Sequence, residues 1–216
     1  MPDTKNPIYA DAMARTAAMA LDPAAVWSDP RLRGKLADIY IQMGDTAENV
    51  AQLRNVSRAA QDEWAVLSQN RAEAAAARGF WAKDITPVLL PDGSLATTDD
   101  GPRAGVTLEG ISGMKPVFRE HGTVTAANCC PLNDGAAALV IMSDTKAAEL
   151  GLTPLARIVA TGVSALSPEI MGLGPVGAVN RALANAGMSI GDMDIMELNE
   201  AFAAQVVPTI DELGID

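Results

Sequence analysis

The chain has 216 residues, 49% hydrophobic and 20% charged, which is the composition of a globular protein of one large domain or two small ones. Twenty-seven acidic against 16 basic residues leave a net charge of -11, and only 4% of residues are aromatic. That sign, with no long Lys/Arg run and few rings for base stacking, excludes a reader of phosphate backbones, so no nucleic-acid partner is expected.

The start, Met1-Pro2-Asp3-Thr4-Lys5, shows no basic-then-apolar leader, and no run approaches the ~20 apolar residues that span a bilayer. No membrane association is expected. The two cysteines are neighbours, Cys129 and Cys130, and no third thiol exists to staple either. That usage fits a reducing, cytoplasmic setting. His121 is the single histidine, so a metal site built on several imidazoles is excluded.

Residues 1–42 read as irregular and proline-broken, with a helix over 7–20 that Asn6 caps and Pro7 opens. A short helix follows over 43–54. Asp45 is placed to cap it and Glu48 to complete a capping box. The longest helix runs over 57–78, from a Ser57 cap to a Gly79 stop. Its Trp64, Leu67, Arg71, Ala74 and Ala75 recur at helical spacing and read as core packing. Residues 84–90 read as a strand entering the Pro91-Asp92-Gly93-Ser94 turn, while 106–120 give mixed signals.

From about residue 122 the grammar changes. Three apolar, β-compatible runs (136–142, 155–163 and 193–198) alternate with helices over 145–150, 175–186 and 201–213. Strand-helix alternation is the pattern of a parallel sheet with covering helices, and Pro208 falls inside the last helix. Three such strands leave exposed edges, so the sheet is expected to oligomerise or to belong to something larger.

The last run ends at Asn199-Glu200 and turns into the helix beginning near Ala201. A strand that ends on a polar residue and passes straight into a helix is where open α/β sheets place ligand chemistry. The Asn199 amide both donates and accepts there; the alternative is that it merely caps the helix.

Four stretches, in order, carry a resemblance to a known family. They are Met43-Gly44-Asp45-Thr46-Ala47-Glu48-Asn49-Val50-Ala51, Gly122-Thr123-Val124-Thr125-Ala126-Ala127-Asn128, Asn133-Asp134-Gly135-Ala136-Ala137-Ala138 and Asn199-Glu200-Ala201-Phe202-Ala203-Ala204-Gln205. With Pro154-Leu155-Ala156-Arg157-Ile158 and Met171-Gly172-Leu173-Gly174-Pro175, they resemble the thiolases, the group of acetyl-CoA C-acetyltransferases and acyl-CoA thiolases. The resemblance implies an α/β, thiolase-like fold: a partial parallel or mixed sheet with covering helices, preceded by a mainly helical loop domain. On that layout 1–121 belongs to the loop domain that covers coenzyme A. Residues 122–151 end the N-terminal half, and 152–216 open the C-terminal half.

The resemblance also implies a chemistry. A cysteine takes an acyl group from a thioester and passes it to a second acceptor, acetyl-CoA in synthesis or coenzyme A in thiolysis. Asn199 matches the asparagine that orients a water in an oxyanion hole. Ala201 and Phe202 match residues of the pantetheine tunnel, Met43 a pantetheine-side residue, and Arg103 an arginine on the adenine end. Ala126 and Cys130 fall in the loop that lies near pantetheine, where Ala127 replaces a common glycine. Coenzyme A and acetyl-CoA enter as substrates, with no cofactor or metal, and a homo-oligomer is expected of the full-length family. The nucleophilic cysteine, the Gly-His-Pro histidine and the Cys-x-Gly base do not occur within these residues, and Cys129, Cys130 and His121 do not match them. The chain is therefore expected to be an interior stretch of such an enzyme and inactive alone. The alternative is a non-catalytic acyl-CoA-binding or assembly module of thiolase descent, and a blander one is a truncated product that does not fold stably.

Overall fold

The computed structural model describes residues 5–215. At the N-terminal end the Asn6 side chain accepts from the Ile8 N–H, and a 3-10 turn, Pro7–Tyr9, runs into α1 (Ala10–Leu21). After a loop containing the turn Pro30–Arg33, α2 (Met43–Arg54) ends on Asn55 in the left-handed region (φ 54). The longest helix, α3 (Arg58–Ala77), starts on the Ser57 hydroxyl, which accepts from the Ala60 N–H at 3.1 Å. Beyond a small hairpin and α4 (Leu108–Ser112) come α5 (Asp144–Glu149), α6 (Gly174–Ala186) and α7 (Ala203–Leu213). Helix α7 packs on α2, α3 and α6 and is the hub of the arrangement.

The apolar centre is built from small side chains: Ala47 and Ala51 of α2, Val56, Val124 and Ala204 of α7. Small residues let these segments approach closely, and Gly44 takes this furthest. A methyl group there would lie 2.2 Å from the Phe118 ring. Around this centre the buried side chains are polar, among them Glu48, Asn49, Gln61, Asp62, Arg119, Thr125 and Asn128. Asp45 does not cap α2; Gln42 occupies that position without a side-chain bond, and Asp45 pairs instead with Arg119 at 2.9 Å. Glu48 forms no capping box because its carboxylate turns to the 122–124 backbone. Likewise the buried face of α3 is Gln61, Asp62, Ala65 and Ala75; of the expected stripe Ala75 is buried and Trp64 half-buried, while Leu67, Arg71 and Ala74 are exposed. The 122–130 loop packs there, and Gln61 donates to its Thr123 hydroxyl at 2.9 Å while Asp62 accepts from its Asn128 amide at 3.0 Å.

Among the described residues the only ladder is antiparallel, between β1 (Val88–Leu89) and β2 (Leu95–Ala96), turned by Gly93 at φ +85. The strand expected over 84–90 is thus trimmed to β1. The three runs 136–142, 155–163 and 193–198 are neither helical nor paired. Leu139, Leu155 and Ile195 are 87%, 104% and 84% exposed. A strand is stabilised by neighbours on its edges and cover on its faces; no described segment pairs with these runs, and only the end of 155–163 is covered, by α6 packing on Gly162 with Asn185 donating to the Thr161 carbonyl. The accessible surface, 14878 Å², confirms the openness. A compact chain of this mass exposes about 9,400 Å². No helix is long and apolar enough to cross a membrane, and no cluster of three or more His, Cys, Asp or Glu side chains is placed to hold a metal among the described residues.

Candidate functional site

The site is organised by the loop over 122–130. The buried Glu48 carboxylate accepts from the Thr123 N–H at 2.9 and 3.0 Å, from the Thr123 hydroxyl at 3.1 Å and from the Val124 N–H at 2.9 Å. Gly122 makes room for it, since a Cβ there would stand 2.1 Å from Glu48 Oε1. One turn on, Asn128 closes the loop. Its Oδ1 accepts from the Thr125 N–H at 2.8 Å, and its Nδ2 donates to Asp62 Oδ1 at 3.0 Å and to the Thr123 carbonyl at 3.1 Å. Asp62 is in turn held by Arg58 at 2.8 Å. Ala126 and Ala127 sit at the tip of this turn. Ala127 does not have positive φ, so alanine takes the glycine position without backbone strain.

The closed loop is then stitched to the start of α7. Cys130 N–H donates to the Ala201 carbonyl at 2.9 Å, and Ala203 N–H donates to the Asn128 carbonyl at 2.9 Å. The two bonds form an isolated antiparallel bridge between Cys129 and Phe202. Residues far apart in sequence, Ala126 and Cys130 on one side and Ala201 and Phe202 on the other, are thereby brought together. Side chains alternate along an extended segment. Cys129 consequently turns inward, against the apolar centre, and Cys130 outward. Burial, and secondarily the neighbouring Cys130, push the Cys129 thiol up from its ordinary range. A thiol so placed is a packing group, not an activated nucleophile.

Phe202 is half-buried and meets Phe118 edge to face, with ring centroids 6.2 Å apart. Phe118 lies over Gly44, and the exposed Met43 precedes Gly44 at the first position of α2. Met43 thus stands one residue from the Gly44–Phe118 contact. Asn199 is exposed two residues before Ala201 and makes no side-chain hydrogen bond among the described residues. It does not cap α7. Phe202 holds that position, with its N–H donating to Gln205 Oε1 at 3.4 Å.

Arg103 stands apart from this group. Its N–H donates to Gln69 Oε1 of α3 at 3.0 Å, and its side chain is exposed. It borders a cleft of about 320 Å³ between Ser68, Gln69 and Ala72 of α3, the 99–102 loop, and Pro131, Asn133 and Asp134. Pro131 follows Cys130 directly, so the cleft continues from the stitched segment. Asp99, Asp100 and Asp134 line it, so the cleft is acidic, and Arg103 follows the lining residue Pro102 at its edge. A second cleft, of about 330 Å³ between α1 and the 22–30 loop, contains none of the expected residues.

Sequence reasoning missed Phe118, Glu48 and Asn128 as organisers of the site. Phe118 lay in the stretch with mixed signals. Glu48 was disguised by a spacing that also reads as a capping box. Together the group consists of the Cys129–Phe202 bridge, the Phe118 and Phe202 rings edge to face, and the exposed Ala126 and Cys130 beside them.

Comparison with known proteins identifies the class. The thiolase N-terminal domain matches residues 11–145 and the thiolase C-terminal domain residues 152–216. The acetyl-CoA acetyltransferase of Cupriavidus necator is 51% identical over 187 residues, which are 84% of this chain and 48% of that protein. The crystal structure of the Bacillus anthracis acetyl-CoA acetyltransferase superposes with a TM-score of 0.80 at 43% identity, covering 83% of this chain and 46% of that one. The dimeric peroxisomal thiolase of Saccharomyces cerevisiae gives 0.82 at 39% identity, covering 91% and 51%. The chain belongs to the thiolase family, and its fold is thiolase-like α/β. It spans about half the length of the curated relatives it matches.

Proposed function

We propose that this chain contributes the coenzyme A-covering segment and the asparagine-bearing turn of a thiolase-type acyltransferase. The reaction is acetyl or acyl transfer between an enzyme cysteine and acetyl-CoA or coenzyme A, as acetoacetyl-CoA synthesis or thiolysis. One observation carries the reading: the stitch between 128–130 and 201–203 joins the two segments into one wall, with Cys129 and Phe202 on its core-facing side and Cys130 on its outer side. In the proposal that wall flanks pantetheine, Met43 lies beyond Phe118, Arg103 meets the nucleotide end, and Asn199 orients a water beside the thioester oxygen. The layout is a loop-domain segment over 1–121, the end of the N-terminal half over 122–151 and the opening of the C-terminal half over 152–216. The separate family matches on either side of 145–152 support that division. Self-association and a cytoplasmic setting belong to the same reading, and the dimeric yeast relative supports the former.

The inward, unactivated Cys129 favours a second reading for these residues alone: they bind acyl-CoA without turning it over. Thermal unfolding with coenzyme A tests the binding that both readings share. At a hundred times its dissociation constant a ligand adds about 2.7 kcal/mol, which for a chain of this size raises Tm by roughly 5–10 °C. Arg103→Ala and Phe202→Ala each weaken the response. No shift at millimolar coenzyme A refutes the assignment. Cleavage of acetoacetyl-CoA by the purified chain, surviving Asn199→Ala, refutes the inactivity of the isolated chain.

A further inference from the structure

Glu169 is a buried carboxylate, 5% exposed, with no ion-pair partner among the described residues. It sits in the 3-10 turn Pro168–Leu173, which is kinked at Ile170 (φ -134, ψ 30). Its oxygens accept from the Trp27 indole N–H at 2.8 Å, the Asp38 N–H at 2.9 Å and the Ser167 hydroxyl at 3.4 Å. Its carbonyl accepts from Asn49 Nδ2 at 2.9 Å, and Asn49 Oδ1 accepts from Arg119 at 2.8 Å. One residue thus ties together the N-terminal segment, the turn, α2 and the loop that leads to residue 122.

The turn bears directly on the candidate site. A methyl group at Gly172 would stand 2.8 Å from Cβ and Cγ of Gln205, so the bare backbone is what lets Gln205 seat there. Gln205 is buried, and its Oε1 takes the Phe202 N–H. The path from Glu169 to Phe202 is therefore continuous: carboxylate, turn, Gly172, Gln205, Phe202. A buried carboxylate without a cation stabilises a fold less than a well-packed apolar side chain of the same volume. What it supplies is geometry, since its acceptors fix both neighbouring segments at defined positions.

We propose that Glu169 is a positioning residue for the 199–205 segment, acting through Gly172 and Gln205. It rests on the reading that Phe202 lines the coenzyme A path. The test is hydrogen exchange by mass spectrometry on the whole chain, with the Trp27 indole N–H followed by NMR. Glu169→Gln puts an amide NH₂ against N–H donors. Peptides over 168–173 and 199–205 should then exchange about tenfold faster, with the Trp27 resonance moved and the second half of α3 unchanged. Gly172→Ala cuts only the last link. It should speed exchange at 199–205 while leaving the Trp27 resonance in place, and it keeps the test decisive if Glu169→Gln does not fold. Wild-type exchange at 199–205 in both variants overturns the proposal, as does uniform acceleration along the chain. Coenzyme A binding, read by thermal shift, should weaken about tenfold in both variants. Failure of the wild type to bind coenzyme A sinks the site reading alone, and the exchange pattern still decides the positioning role.

Discussion

Replacing Glu48 by alanine tests the organisation of the site most directly. The carboxylate takes two backbone N–H groups, of Thr123 and Val124, and one hydroxyl, while Val124 is fully buried. Removing it strands both amides. A buried donor left without a partner costs about 1–3 kcal/mol, so two of them with the lost packing amount to roughly 3–5 kcal/mol. With an m-value of about 2 kcal/mol/M in urea, the unfolding midpoint should fall by about 1.5–2.5 M. Glu48→Gln keeps one acceptor oxygen and should cost about half as much. Gly122→Ala should approach the alanine variant, because its methyl group occupies the place of Glu48 Oε1. The loosened loop should also raise the labelling rate of Cys130, since Cys130 is held through the same loop by Ala201. A midpoint shift below about 0.5 M in Glu48→Ala, with folded-state labelling unchanged, would refute the claim that this carboxylate organises the site.

The two thiols should behave differently toward iodoacetamide. Cys130 is exposed and should be alkylated first, while Cys129, half-buried with its thiol pushed up, should lag and catch up only as pH rises. Peptide mapping at neutral and alkaline pH checks this, and equal rates at neutral pH would contradict the inward placement of Cys129. Asp192 should titrate below the usual carboxylate range, because the Ser189 N–H and hydroxyl both donate to it. A depressed folded-state pKa means that this contribution is present above the ordinary carboxylate pKa and is lost as pH falls through the depressed value. Carbon-detected NMR of Asp192 should show the depression, and Ser189→Ala should reduce it without abolishing it, because the backbone N–H at 189 still donates. Amides over 136–142 and 155–163 should exchange within seconds, as they lack ladder partners. Strong protection there in the monomer would show that these runs pair with one another.

The local elements were legible because their causes are local. Asn6 and Pro7, Ser57, Gly79, the Pro91-Asp92-Gly93-Ser94 turn and Gly187 each act within a few residues, and the structure uses each where expected. Family membership was legible for a similar reason: short motifs stay recognisable without the contacts that give them purpose. The pairing of Cys129 with Phe202 was not legible, since a bridge between segments 73 residues apart leaves no periodicity to read. Nor was the turn of Glu48 away from a capping box that its spacing allowed. Two orphaned amides at 123 and 124 compete for that carboxylate, and buried donors outbid the solvated end of a helix. The apolar runs show the limit most clearly. Residue type dictated that 136–142, 155–163 and 193–198 be extended, but a strand becomes a sheet only when another backbone lies within hydrogen-bonding distance. Propensity belongs to the residue, whereas pairing, burial and the aim of a side chain belong to whatever the fold places beside it.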